Sequence, residues 1–206
     1  MPKSILFRAL LVLLLLAGVV ARPAFGAGPV ANGIFLIARP GMKDSNFSKT
    51  VVLVTLPKGG APLGVIINRP LKQRLADLFP DFKTLKGKTD PIYFGGPVEL
   101  PLVSFVVRST KTPDGALPVL HDVYFSTSHE LFEKLMKRPD PTANVRVFAG
   151  YSGWAPGQLQ TEIKRGGWYT LPADANTIFN TDPAKMWDKL VERASREKTR
   201  WTQRKG

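Results

Sequence analysis

The 206-residue sequence contains no cysteine and only two histidines, His121 and His129. The absence of cysteine excludes disulfide bonds, cysteine-ligated zinc or iron–sulfur sites and a thiol nucleophile. Carboxylates would have to supply most ligands of any metal site, and none of them cluster at ligand spacing. We therefore predict no metal site and no cofactor, and we expect both histidines to lie at the surface or in ordinary hydrogen bonds.

The sequence also lacks an apolar run long enough to span a bilayer as a helix. The uncharged core near the N-terminus, Ala9–Val20, has 12 residues, whereas a membrane-spanning helix needs about 20. It follows Lys3 and Arg8 and is followed by small residues, which is the arrangement of a secretory signal peptide. We predict that residues 1–27 are a signal peptide and that the mature protein is periplasmic or secreted. An uncleaved membrane anchor is the alternative.

Acidic residues are scarce, with 16 Asp and Glu against 29 Lys and Arg, for a formal net charge of +13. Removal of residues 1–27 leaves +10, and half of that lies in Lys185–Gly206. This basic segment is either a solvated helix face with a frayed end or a contact with an anionic membrane surface or an acidic partner. Export argues against a nucleic-acid partner, so we expect an unidentified protein or a small anionic ligand.

Short apolar runs separated by proline and glycine predict a sheet. Two of these runs, Thr50–Leu56 and Leu63–Asn68, are apolar on both faces and are joined by a hairpin connection, so helices or another sheet must cover both faces. The predicted strands are Ile34–Ala38, Thr50–Leu56, Leu63–Asn68, Ile92–Phe94, Leu102–Arg108 and Asn144–Ala149.

Three helices follow from local signals. Thr127 with Glu130 indicates a capping box for a helix that ends before Pro139. A second helix is predicted over Pro156–Arg165, and a third begins at the N-cap Asp182. Together with the strands, this pattern predicts an α+β fold in a single domain.

The most enzyme-like segment is Gly150-Tyr-Ser-Gly-Trp154, which resembles the turn that carries a hydrolase serine. That turn requires a small residue two positions after the serine, where this chain has Trp154, and no local base accompanies Ser152. We therefore predict no catalytic residue. Asn68-Arg-Pro, Gly95-Gly-Pro and the Gly150–Gln158 segment remain, and they either line a ligand cleft or brace turns around the core.

The same segments resemble the YqgE/AlgH family. The matching blocks extend over residues 32–190 and read Phe35-Leu-Ile-Ala-Arg-Pro40, Gly64-Val-Ile-Ile-Asn-Arg-Pro-Leu71, Gly95-Gly-Pro-Val98, Gly150-Tyr-Ser-Gly-Trp154 with Gly157-Gln-Leu159, Glu162-Ile163 and Trp168, and Ala173-Asp174 with Ile178-Phe179 and Trp187. The resemblance implies a single compact α+β domain with a bent, mostly antiparallel sheet folded toward a barrel and flanking helices. It implies no established reaction, cofactor or DNA-binding element, although some members are described as transcriptional regulators.

The chain departs from the family pattern at several positions. Family members begin near Asn32 and resemble cytoplasmic proteins, whereas this chain adds an export signal. Position 152 is commonly alanine in the family, Gln160 replaces a usual glutamate, and Arg108 replaces a frequent histidine. We predict three segments: a signal peptide (1–27), an AlgH-like domain (28–195) and a basic C-terminal tail (196–206).

These observations predict an exported, non-enzymatic binding or regulatory module. One alternative is an enzyme of unknown reaction in a cleft formed by Asn68, Gly95 and Trp154, with Asp174 or Glu162 as acid or base. Another is a cytoplasmic transcriptional regulator, which requires translation to begin nearer Val30 or Met42. The residues predicted to form the ligand or partner surface are Asn68, Arg69, Gly95, Gly96, Tyr151, Trp154, Gln158 and Asp174.

Export is directly testable on the protein from its native host. We expect the mature chain to lack about the first 27 residues and to fractionate outside the cytoplasm, because the N-terminal segment has the layout of a cleaved signal. Intact-mass measurement on cell fractions checks both points. Soluble cytoplasmic protein with its N-terminus intact would contradict the prediction.

Overall fold

A computed structural model describes the backbone of residues 33–55 and 60–203 and side chains as far as Glu197. The predicted signal peptide and part of the predicted hairpin connection lie outside these residues. The strands are β1 (Ile34–Ala38), β2 (Val51–Thr55), β3 (Leu63–Ile66), β4 (Pro70–Arg74), β5 (Pro91–Phe94), β6 (Val98–Arg108), β7 (Ala116–Leu120), β8 (Val123–Ser126), β9 (Val145–Gly153) and β10 (Trp168–Pro172). The helices are α1 (Leu75–Leu78), α2 (His129–Met136), α3 (Gln158–Lys164), α4 (Ala175–Asn180) and α5 (Pro183–Gln203), with a 3₁₀ turn at Lys83–Leu85.

The strands form one curled sheet in the order β10-β1-β2-β3-β9-β6-β8-β7, and β4 joins it through β5. Neighbouring strands are antiparallel except for β5, which runs parallel to β9. The sheet closes partway into a half-barrel with helices packed against it. The predicted α+β fold with a bent, mostly antiparallel sheet is therefore confirmed.

The β2–β3 hairpin is buried on both faces, as its apolar pattern predicts. On one face, Val51 and Leu53 belong to a core cluster that includes Ile178 from α4 and Met186 from α5. On the other face, Val52 and its neighbours pack in a cluster containing Trp154, Leu159 and Trp168. The two faces of one hairpin thus anchor different helices to the sheet.

Four strands were not predicted from the sequence, namely β4, β7, β8 and β10. β4 begins with Pro70 and is mostly exposed, and β7 contains Pro118 and lies at the edge of the sheet. Proline and polar residues weaken the strand signal but are tolerated at edges, where one row of backbone groups faces solvent. β4 and β7 form because a neighbouring strand supplies hydrogen-bond partners, which local sequence does not reveal.

The helix boundaries differ from the predictions by one or two residues. The N-cap of α2 is Ser128, whose hydroxyl accepts a hydrogen bond from the Leu131 N–H at 3.3 Å, so the predicted capping box at Thr127 is wrong. α3 starts only after Gly157, which has a φ of +78°. The predicted N-cap of α5 is confirmed, because an Asp182 carboxylate oxygen accepts from the Ala184 N–H at 3.0 Å.

Helix α5 continues through residues 195 and 196, where the sequence places the start of a separate tail. Met186, Leu190 and Ala194 are buried against the core, and the indole of Trp187 donates to the carbonyl of Ala38 at 2.7 Å. The apolar face of α5 is therefore used within the domain. None of the helices in the described part of the chain combines the length and the apolar character that a membrane-spanning helix requires.

Strand β9 connects the two halves of the sheet. It pairs with β6 along one side, and with β5 and then β3 along the other. The chain leaving β5 crosses β9 at Gly95 and Gly96, both buried. A Cβ atom at Gly96 would lie 2.3 Å from the carbonyl oxygen of Tyr151, and Gly96 has a φ of +151°. Only glycine fits this crossing without moving the backbone.

Substitution of Gly96 tests how strongly the fold depends on this crossing. Gly96→Ala should lower the free energy of unfolding by about 3 kcal/mol or more, or prevent folding, because it combines backbone strain with a backbone clash. Gly87→Ala is the matched control, since Gly87 also has a positive φ, +78°, but open space around it. Urea denaturation checks both variants, and equal losses would show that the crossing has no special importance.

Candidate functional site

The candidate site is a cleft of about 630 Å³. Its walls come from the loop after β1, the start of β6, the end of β9 and helix α3, together with Trp168 at the start of β10. The lining of the cleft contains aromatic and other apolar side chains as well as charged ones. The side chains that define its chemistry are Arg39, Met42, Lys43, Asp44, Phe47, Val98, Trp154, Gln158, Glu162, Arg165 and Trp168.

Two buried tryptophans, held by one carboxylate, form part of the lining. Oε2 of Glu162 accepts hydrogen bonds from the indole N–H of Trp154 at 3.1 Å and from that of Trp168 at 3.0 Å. Each ring is at most 6% exposed. Because a carboxylate oxygen has two lone pairs, Glu162 can satisfy both buried indole donors at once. It thereby fixes the relative position of two rings that are distant in sequence.

Helix α3 positions Glu162 through its first turn. The side-chain amide of Gln158 donates to Oε1 of Glu162 at 2.9 Å, and the amide oxygen of Gln158 accepts from the Ala155 N–H at 3.0 Å. The four-residue spacing places Gln158 and Glu162 on one face of the helix, and buried Leu159 anchors α3 to the sheet. The carboxylate therefore has three fixed N–H donors.

The loop opposite α3 is held by Asn68 and Arg69. The Asn68 amide oxygen accepts from the Val51 N–H at 2.8 Å and its NH₂ donates to the carbonyl of Lys49 at 3.0 Å. The Arg69 guanidinium donates to the carbonyls of Asn46 at 2.7 Å and Ser48 at 3.1 Å. Partial burial lowers the pKa of Arg69 from its usual value, yet an arginine stays protonated at neutral pH.

Three cations line the cleft: Arg39, Lys43 and Arg165. Among the described side chains, none of them has a carboxylate oxygen within 4.0 Å. The guanidinium of Arg39 lies over the ring of Tyr169, 4.2 Å from its centroid. The cleft thus combines apolar walls with positive charges that lack a protein counter-ion.

The structure distributes the eight predicted surface residues over several places. Trp154 and Gln158 line the cleft, and Asn68 and Arg69 brace one of its walls through the contacts above. The remaining four do not belong to the cleft lining. Gly95 and Gly96 pack against β9, the Tyr151 hydroxyl lies 3.5 Å from a Glu99 oxygen, and Asp174 caps α4 by accepting from the Thr177 N–H at 2.7 Å.

The predicted surface omitted several residues that the cleft brings together. Arg39, Glu162 and Trp168 lie within blocks that resemble the YqgE/AlgH family, so that signal was available. Lys43 and Arg165 carried no sequence signal beyond their charge. The cleft predicted for an enzyme from Asn68, Gly95 and Trp154 differs from the observed one. Trp154 lines the observed cleft, whereas Asn68 and Gly95 lie outside its lining.

Ser152 and the two histidines lie outside the cleft lining. Ser152 is buried, and its hydroxyl donates to the carbonyl of Gly95 at 3.2 Å. His121 and His129 are exposed. Within residues 33–55 and 60–203, no three or more His, Cys, Asp or Glu side chains come together in a group that could hold a metal ion.

Replacement of Glu162 by glutamine tests the role of its carboxylate. In Glu162→Gln, an NH₂ group replaces one acceptor oxygen, so one of the three N–H donors loses its partner. We expect the free energy of unfolding to fall by about 1–3 kcal/mol. Glu130→Gln is the control, because the Glu130–Lys134 ion pair is exposed and its loss should change stability little. Chemical denaturation followed by tryptophan emission measures the stability of both variants. Equal losses would contradict the conclusion that the Glu162 carboxylate holds the two tryptophans in place.

Comparison with known proteins is consistent with this architecture. The sequence profile of a family described as DUF179, AlgH-like, matches residues 35–198. A UPF0301 protein of Ralstonia pickettii is 38% identical over 158 residues, covering 74% of this chain and 82% of the relative. A UPF0301 protein of Chlorobium limicola is 31% identical over 160 residues, covering 77% and 84%.

Two solved structures share the fold. The solution structure of the AlgH protein from Pseudomonas aeruginosa superposes with a TM-score of 0.65 at 28% identity, covering 81% of this chain and 90% of that one. A crystal structure of a protein from Corynebacterium diphtheriae gives a TM-score of 0.64 at 24% identity, covering 81% and 88%. The profile match and the relatives together confirm the resemblance: this chain belongs to the AlgH-like family.

Proposed function

We propose that this protein is an exported, non-enzymatic binding or regulatory module whose ligand occupies the cleft between the loop after β1 and helix α3. The observation that carries the proposal is the cleft itself. Its volume of about 630 Å³ lies within the range of about 300–1,000 Å³ typical of small-molecule sites, and its mixture of aromatic and charged lining is typical of them too.

Preorganisation favours a binding role for this cleft. Trp154 and Trp168 are fixed by their bonds to Glu162, and Asn68 and Arg69 fix the opposite loop. A site whose walls are already ordered loses little conformational entropy when a ligand enters. The loop contacts also explain why Asn68 and Arg69, two of the predicted surface residues, lie beside the cleft. Neither residue has to touch a ligand to fill this role.

The chemistry of the lining favours binding over catalysis. The described lining contains no serine, cysteine or histidine. Of its two carboxylates, Glu162 already accepts three hydrogen bonds, and an Asp44 oxygen accepts from the Asn46 N–H at 2.8 Å. Asp174, the other acid considered for an enzyme, caps α4. No nucleophile paired with a base emerges from these contacts.

The export part of the proposal rests on the N-terminal sequence. A cytoplasmic regulator would require a later translation start, and a start at Met42 would remove β1. That strand pairs with both β10 and β2, and four of its five side chains are fully buried. A start near Val30 would retain the domain, so cell fractionation is the experiment that distinguishes the two locations.

Occupation of the cleft can be tested with a neutral aromatic probe, N-phenyl-1-naphthylamine, whose emission rises in apolar sites. We expect saturable binding to the intact mature chain. Pro97→Trp should weaken it at least about tenfold, because Pro97 is an exposed residue of the lining and a large ring there fills the space that the probe needs.

Pro139→Trp is the matched control, because Pro139 is exposed after α2 and does not line the cleft. It should bind the probe like the unmodified protein. Circular dichroism spectra establish that both variants are folded. Absence of saturable binding, or equal binding by the two variants, would contradict the proposed site.

A further inference from the structure

We propose that the cleft takes a small amphipathic anion, a molecule with a flat apolar body and one acidic head group, and that Arg39 binds the head group. This inference rests on the proposed function and adds the chemical class of the ligand to it. Three observations support it: the Arg39 side chain has a buried Nε without a hydrogen-bond partner among the described residues, cations outnumber carboxylates in the lining, and both indole N–H groups point to Glu162.

Arg39 is a partly buried cation that has no counter-ion among the described side chains. Its backbone N–H donates to the carbonyl of Gly167 at 3.1 Å, which places the residue beside the cleft. Its Nε is buried and has no hydrogen-bond partner, alone among the buried side-chain nitrogens and oxygens of the described residues. A buried N–H donor normally has a hydrogen-bond partner, because its removal from water is unfavourable without one. An anion in the cleft would neutralise this guanidinium.

Cations outnumber carboxylates around the cleft. Lys43 and Arg165 share the lining with Arg39, and neither has a carboxylate oxygen within 4.0 Å among the described side chains. The two acids of the lining, Asp44 and Glu162, accept hydrogen bonds from neutral N–H donors and keep their charge, so the lining carries three cations against two carboxylates. This net positive charge favours an anionic ligand over a cationic one.

The aromatic part of the lining suits an apolar body. Trp154 and Trp168 direct their N–H groups to Glu162, so their only polar atoms are already satisfied. Phe47 packs edge-to-face on Trp168 with a centroid distance of 5.6 Å. What these rings offer the cleft is carbon surface, which contributes to binding by burying apolar area of the ligand.

The proposal is tested with two probes that share one aromatic skeleton. 8-Anilinonaphthalene-1-sulfonate carries a sulfonate, and N-phenyl-1-naphthylamine lacks it. On the intact mature chain at low salt, we expect the sulfonate probe to bind at least about tenfold more tightly than the neutral one, which is the size of effect that a single partly desolvated ion pair produces. Addition of salt should reduce this preference.

Variants then assign the preference to Arg39. Arg39→Met removes the guanidinium that lies over Tyr169 and its charge but keeps an unbranched apolar side chain, so it should lose most of the preference for the sulfonate probe. Arg39→Lys should restore part of the preference. Lys164→Met is the matched control: Lys164 lies next to Arg165 in α3 but does not line the cleft, and its loss should leave the preference unchanged.

The outcomes separate this inference from the proposed function. Equal binding of the two probes to the unmodified protein, with Pro97→Trp blocking both, would overturn the anion proposal and leave the cleft as a binding site. A preference that survives in Arg39→Met, or disappears in Lys164→Met as well, would overturn the role of Arg39. Failure of both probes to bind saturably would contradict the proposed function itself.

Discussion

The architecture depends on a place where two backbone segments meet with no side chain between them. Gly95 and Gly96 cross strand β9, and the backbone of Gly95 bonds in both directions: its N–H donates to Ala149 at 2.8 Å, and its carbonyl accepts from Ile66 at 2.9 Å. This one residue thereby joins β3, β5 and β9. A methyl group at either glycine would overlap the backbone of β9, so the curl of the sheet requires glycine here.

The cleft lies where it does because of that crossing. Strand β9 ends at Gly153, and Trp154 follows directly into the apolar cluster on one face of the β2–β3 hairpin. The opposite face of the hairpin is occupied by α4 and α5. Since α4 and α5 fill one face, helix α3 and the loop after β1 cover the other, and they enclose a cavity between them. Glu162 stabilises this arrangement by satisfying two buried indole donors.

Several residues of the predicted ligand or partner surface have structural roles in the fold. Asn68 and Arg69 bind carbonyl groups of a loop, Gly95 and Gly96 permit a close crossing, and Asp174 caps a helix. Each of these roles demands a particular residue type as strictly as ligand binding does. A distinctive motif is therefore weak evidence for a contact surface until its hydrogen-bond partners are known.

The sequence by itself determined the features that arise from local signals. The apolar strands β1 to β3 and the N-cap of α5 follow from residues close together in the chain, because burial pattern and capping act over a few positions. The α+β class follows from the order of these elements, and the AlgH-like family from motif blocks spread over residues 32–190. Only the tertiary structure decided which residues share the cleft. It brings Arg39 and Arg165 into the lining of one cleft, joins Trp154 and Trp168 through Glu162, and forms the edge strands β4 and β7. These arrangements depend on packing between separate segments of the chain. A neighbouring segment either supplies a hydrogen-bond partner that the local sequence lacks or leaves a charged side chain without an ion-pair partner.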